Sequence, residues 1–142
     1  MEAQVFELRT PMLKKGRSHK VLFRTDIMNI ALKCYSEGGE NTLHTHPGED
    51  HAFIILDGEA TFYDKEDKAT VVKKGQGILL PEGWYYRFLN TGGKPLMFLR
   101  FGALREKPEL SRIGADGASL PGNSVENKHI EAVPVEGMEW TL

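Results

Sequence analysis

Cysteine, long apolar runs and an excess of either charge are what this sequence has least of. Cys34 is the single cysteine, so no internal disulfide can form. No apolar run approaches the roughly 20 residues that a membrane-spanning helix needs. The start, Met1-Glu2-Ala3-Gln4, has neither the basic nor the apolar part of a signal peptide. Together these absences predict a cytoplasmic protein that neither enters a membrane nor requires an oxidising compartment. The formal net charge is -2, and no basic stripe stands out, which argues against nucleic acid as a partner. Internal repeats and low-complexity tracts are also missing, and no segment holds a convincing helical period.

What is present is a succession of short strand patterns in 142 residues, about one domain's worth. Val5 to Arg9 alternates briefly. Lys14, Lys15, Arg17 and Lys20 make a small basic run around His19, read as a solvated segment. Val21 to Arg24 reads as a strand. From Ile27 to Tyr35 the pattern has period two, with Met28, Ile30, Leu32 and Cys34 on one face and Asn29, Ala31, Lys33 and Tyr35 on the other. Cys34 then packs as a small core residue. Ala52 to Leu56 is continuously apolar, as in a strand covered on both faces. Asp57-Gly58 predicts a tight hairpin to a returning strand, Glu59 to Tyr63. Further strands are expected at Ala69 to Lys73, Ile78 to Leu80, Trp84 to Leu89 and Leu96 to Phe101. About eight such strands with turns between them predict an all-β sandwich or barrel. Residues 1–30 form N-terminal strands or an arm, and residues 31–104 the barrel core. Residues 105–142 lose all periodicity and are read as an extension of the same domain, with at most a short helix or an edge strand.

The chemistry concentrates at His44-Thr45-His46-Pro47-Gly48-Glu49-Asp50-His51, which holds three of the five histidines. Alternation puts His44 and His46 on one strand face, and Pro47-Gly48 lets the chain turn so that His51 can return toward them. Three converging imidazoles outline a metal site; the plainer reading is three surface histidines beside a loop. Glu49 shares parity with His51, whereas Asp50 faces away.

These residues resemble the cupin family. Its first motif is matched by Gly38, His44, His46 and Gly58, with His51 in the slot usually held by glutamate. Its second is matched by Gly75, Pro81, Gly83 and Asn90, with Tyr86 in the histidine slot. The resemblance covers about residues 38–90. It implies a double-stranded β-helix (jelly-roll) barrel with an irregular C-terminal arm, a homodimer, and one divalent transition metal per chain (Fe, Ni, Mn or Zn). It also implies a small-molecule ligand, taken by a dioxygenase, isomerase or lyase or, alternatively, by a non-catalytic binding module. On that reading His44, His46 and His51 hold the metal, and an apolar barrel receives the substrate. Glu49 either replaces His51 on the metal or supports an imidazole N–H, and beside the metal it is, with Tyr86, a candidate catalytic group that moves protons. Tyr86 serves as a proton-transfer group, as core, or as a ligand. Trp84, Tyr86 and Phe88 would form one inward aromatic row. Arg87 and Arg100 either clamp a substrate carboxylate or, as is commoner for strand arginines, face outward; His129 is read as a surface residue, with an extra metal ligand at the barrel mouth as the alternative.

Overall fold

The computed structural model describes residues 1–37 and 39–142; Gly38, the first glycine of the first motif, lies outside the described residues. Among the described residues, twelve strands carry the fold: β1 (Arg9–Lys15), β2 (Arg17–Arg24), β3 (Met28–Tyr35), β4 (His44–Thr45), β5 (Glu49–Asp57), β6 (Glu59–Tyr63), β7 (Ala69–Lys73), β8 (Gly77–Leu80), β9 (Arg87–Asn90), β10 (Leu96–Leu104), β11 (Ile113–Gly114) and β12 (Val133–Thr141). A five-stranded sheet in the order β2-β3-β10-β5-β8 faces a three-stranded sheet in the order β7-β6-β9, and β1-β12 and β11-β4 form two ribbons. All pairings are antiparallel. This is a double-stranded β-helix.

Asp57-Gly58 does not close a hairpin. β5 pairs with β10 and β8, while β6 pairs with β7 and β9, so the dipeptide is the corner at which the chain leaves one sheet for the other. Gly58 sits at φ 85°, and its N–H donates to the Asp57 carboxylate at 3.0 Å. A side chain there would crowd the Leu96 backbone, so glycine is needed for both its positive φ and its lack of bulk.

The alternation of β3 is realised in register. Tyr35, Lys33, Ala31 and Asn29 lie opposite Leu96, Phe98, Arg100 and Gly102 of β10, all on the barrel's inner face. Leu32 and Cys34 point outward yet are fully buried, because Leu13 of β1 and Trp140 of β12 pack over them together with Met97. The C-terminal arm thus contributes an ordered edge strand that pairs with β1, and the run from Lys14 to Lys20, read as a solvated segment, lies in β1 and β2. Cys34 is a core residue, and burial raises its thiol pKa.

The interior changes character along the strands. One end is filled by Phe53, Ile55, Phe62, Phe88, Leu96 and Phe98, with Phe53 stacked on Phe98 at 5.1 Å and Phe62 on Phe88 at 5.0 Å between ring centroids. Two residues further along β10 and β5 the inward row turns polar, through Arg100, Gly102, His51 and Glu49. The outer face of β5 is less covered than its apolar run predicts: Ile54 is 40% exposed, and Leu79 beside it on β8 is 66% exposed.

Candidate metal centre

Two backbone devices bring the histidines together. β4 lies between β11 and Tyr86: His44 N–H donates to the Tyr86 carbonyl at 3.0 Å, and Tyr86 N–H returns to His44 at 2.9 Å. Gly48, at φ 73°, then turns the chain into β5. There Glu49 and His51 share the inner face, and His51 stands opposite Gly102 and Leu80.

Each imidazole is oriented from behind. His44 Nδ1 lies 2.6 Å from the Thr42 carbonyl and His46 Nδ1 lies 3.0 Å from the Ser111 carbonyl. A carbonyl only accepts, so both Nδ1 atoms carry the proton and both Nε2 atoms keep a free lone pair. His51 Nδ1 lies 3.5 Å from the Tyr86 hydroxyl. The Nε2 atoms of His44, His46 and His51 are buried without a hydrogen-bond partner. Stranding one such atom costs about 1–3 kcal/mol, so nitrogens left this way call for a partner. Ligand atoms of His46, Glu49 and His51 all lie within 4.8 Å of one another. The His44 ring stands 5.0 Å from that of His46. This donor set fits a divalent transition metal.

The protonation states suit the same task. Burial, with help from the Arg112 charge, lowers the His44 pKa to about 3. Burial and the neighbouring His51 and His44 push His46 lower still. Burial also lowers His51, although Glu49 opposes it. The imidazoles are thus neutral at neutral pH, the form that binds metal. Burial pushes the Glu49 carboxyl up, but His51, Asn29 and Arg100 outweigh it and hold the group ionised below its ordinary pKa.

Glu49 meets His51 at the ring nitrogen opposite the one beside Tyr86. Its Oε1 lies 3.2 Å from Nε2 of His51, on the same side as the free lone pairs, and it accepts from Asn29 Nδ2 at 3.2 Å. Gly102 makes the room, because a Cβ there would collide with the carboxylate. Asp50 faces away, as its parity predicts: it pairs with Arg105 at 3.3 Å and accepts the Glu82 N–H. Tyr86 is buried among Phe53, Phe62 and Phe88, and that burial raises its pKa well above the ordinary phenol value. The aromatic row stops there. Trp84 lies outside any strand and is 49% exposed.

A cavity of about 680 Å³ opens beside the cluster, with His46 and Glu49 in its wall. It is polar and basic, not the apolar chamber that the resemblance suggests. Arg100 points into it, correcting the outward reading, because register places Arg100 two residues from Gly102 on the inner face. Arg87 does lie outside, over the Tyr63 ring and beside Asp67. Much of the far wall comes from the arm, from Ser111 and Arg112 to His129. His129 thus reaches the cavity, although its imidazole pairs with Glu131 at 3.5 Å. His19 also borders the cavity. Sequence reasoning missed Lys33 and Arg112. The alternation of β3 could have placed Lys33, whereas nothing local marks Arg112.

The family model for the cupin domain matches residues 31–101, half of the 142-residue chain. A germin-like protein, subfamily 3 member 3, from Arabidopsis thaliana is 27% identical over 104 residues, covering 70% of this chain and 49% of that protein. The uncharacterized protein YdbB of Bacillus subtilis is 37% identical over 49 residues, covering 34% of this chain and 43% of that one. The chain therefore spans half or less of the length of these curated relatives. Among solved structures, a double-stranded β-helix protein from Klebsiella pneumoniae superposes with a TM-score of 0.64 at 20% identity, over 75% of this chain and 95% of that one. A conserved protein of unknown function from Streptococcus pyogenes gives 0.61 at 22% identity, over 75% and 92%. At such identities these two show the shared fold.

Proposed function

The chain belongs to the cupin family, and from that premise we propose that it is a metal-dependent enzyme acting on a small molecule. His44, His46 and His51 would hold one divalent transition metal, iron, nickel, manganese or zinc, with Glu49 as a fourth donor. The observation that carries this reading is the cluster of His46, Glu49 and His51 ligand atoms, all within 4.8 Å of one another, with the buried, unpartnered Nε2 of His44 on the ring beside His46. A carboxylate among the imidazoles lowers the charge of the centre by one, and an ion that takes more than four donors would keep an open position for substrate.

When bound, such an ion supplies Lewis-acid polarisation of an oxygen-bearing substrate or, as iron, one-electron chemistry. The chain's own part is placement. The carbonyls of Thr42 and Ser111 fix two imidazoles, and Asn29 holds the Glu49 carboxylate. Such supporting contacts typically change metal affinity about 10- to 100-fold when removed. Tyr86 serves as a positioning residue for His51: its hydroxyl meets Nδ1, the side turned away from the cluster. It is absent from the cavity wall. Glu49 does border the cavity, so an ion held beside it would face a substrate seated there.

Elemental analysis of protein purified without a histidine tag tests this, comparing the parent with His51→Ala, Glu49→Ala and Tyr86→Phe. Near-stoichiometric metal is expected in the parent, loss in His51→Ala, weakened retention in Glu49→Ala and near-normal content in Tyr86→Phe. A parent that takes up no metal even after reconstitution would overturn the proposal and leave a non-catalytic ligand-binding module.

A further inference from the structure

The cavity beside the cluster carries a charge imbalance that the metal reading leaves unused. Arg17, Arg24, Lys33, Arg100 and Arg112 all border it, and Glu49 is the one acidic side chain among its lining residues. Among the described residues, the ion pairs of the molecule engage other cations, such as Arg9, Lys73, Arg87, Lys94, Arg105 and Lys128. None of the five cavity cations has a carboxylate within ion-pair distance. Glu49, the nearest acid, is turned to His51.

Arg17 has a structural use. Its guanidinium donates to the carbonyls of Glu40, Gly122 and Asn127 and so ties the arm to the barrel. Lys33, Arg100 and Arg112 have no such occupation. Lys33 is 9% exposed, and its ammonium lies over the rings of Tyr35 and Phe98, at 5.6 and 6.0 Å from their centroids. Arg100 spends one nitrogen on Asn29 at 2.7 Å, while its Nε is buried without a partner. Burial first, and then the charges of Arg100, Arg112 and Arg17, push the Lys33 ammonium well below its ordinary pKa, and a bound carboxylate would offset both effects. Like charges desolvated together are costly. A fold that keeps them has left room for an anion.

Taking the cavity as the substrate's seat, as proposed above, we propose that the substrate is a small hydroxylated organic acid whose carboxylate is held by Lys33, Arg100 and Arg112. Guanidinium groups match the planar carboxylate with paired N–H donors. The rest of the wall suits hydroxyl groups, because Ser111, Ser119, Asn123 and Asn127 line it. A volume of about 680 Å³ falls within the range of small-molecule sites.

The test uses the full chain, metal-stripped and metal-loaded, with gluconate, galacturonate, inorganic phosphate and neutral sorbitol at fixed ionic strength. Melting temperature and calorimetric binding are read for the parent, Lys33→Met and Arg100→Met. We expect saturable stabilisation by at least one of the two sugar acids, none by sorbitol, and apparent affinity about tenfold weaker or more in each variant. Without any anion, Lys33→Met should melt at or above the parent, because it removes a desolvated amine crowded by Arg100, Arg112 and Arg17. The proposal is overturned if neither acid exceeds sorbitol, if phosphate binds as well as the acids, or if Lys33→Met melts lower while responding to the acids like the parent. Metal content measured on the same samples separates the two readings. Acid binding without metal removes the metal proposal alone, and metal without acid binding removes this one alone.

Discussion

The two ends of the barrel interior are built from the same strands and obey opposite rules. At one end β5 and β10 offer Phe53, Ile55, Leu96 and Phe98 inward, stacked ring on ring and closed to water. At the other they offer His51, Glu49, Arg100 and Gly102, beside Asn29 and Lys33 of β3. The apolar end lowers the free energy of folding. The polar end holds orphaned nitrogens and unpaired cations and raises it. A pleated strand makes such a partition simple, because two residues along the same face the environment has moved by about 7 Å. Function is thus carried on a platform that the other end stabilises.

Substitutions at the two ends should therefore differ in sign or in readout. The largest loss is expected from Phe98→Ala, about 3–5 kcal/mol by denaturant titration, since the ring is fully buried among Tyr35, Phe53 and Phe88 and its removal leaves a cavity. A cost below about 1 kcal/mol would mean that the apolar end does not bear the stability.

Next comes acid. His44 has a folded pKa of about 3 against an ordinary 6.5, so the unfolded chain binds more protons as pH falls through that window. The stabilising contribution is full above pH 6.5 and is lost progressively toward pH 3, with His51 lowered in the same sense. Metal-free protein should lose a few kcal/mol between pH 7 and pH 4. A flat stability curve over that range would show that the imidazoles are not buried neutral.

The smallest change in stability with a clear effect on the site is expected from Gly102→Ala. The added methyl meets the Glu49 carboxylate and the Asn29 amide and should cost about 1–3 kcal/mol. It should also weaken metal retention about tenfold or more by displacing Glu49. Unchanged metal affinity in a folded Gly102→Ala protein would argue that Glu49 is not a donor.

Much of the fold was legible because strand alternation is a local property. Leu32 and Cys34 against Lys33 and Tyr35 separate by parity alone, and the spacing of His44, His46 and Gly58 marks the barrel. The corner at Gly58 was not legible, since a turn dipeptide specifies a bend and not which sheet the next strand joins. Trp84 and Ile54 were misplaced for a related reason: an apolar residue in sequence carries no record of what covers it.

The sequence by itself determined an all-β chain, the histidine pair on one strand face, His51 within reach, and Asp50 turned away. Tertiary structure decided the rest. Glu49 became a neighbour of the free imidazole nitrogens only because glycine at position 102, opposite His51, leaves room for its carboxylate. Arg100 turned inward only because of the register between β10 and β3. Arg112 reached the cavity only because β11 pairs with β4, 68 residues earlier by the Ile113↔Thr45 register. The physical reason is that parity is fixed by the covalent chain, whereas the meeting of charges from distant strands is fixed by hydrogen-bond register between them.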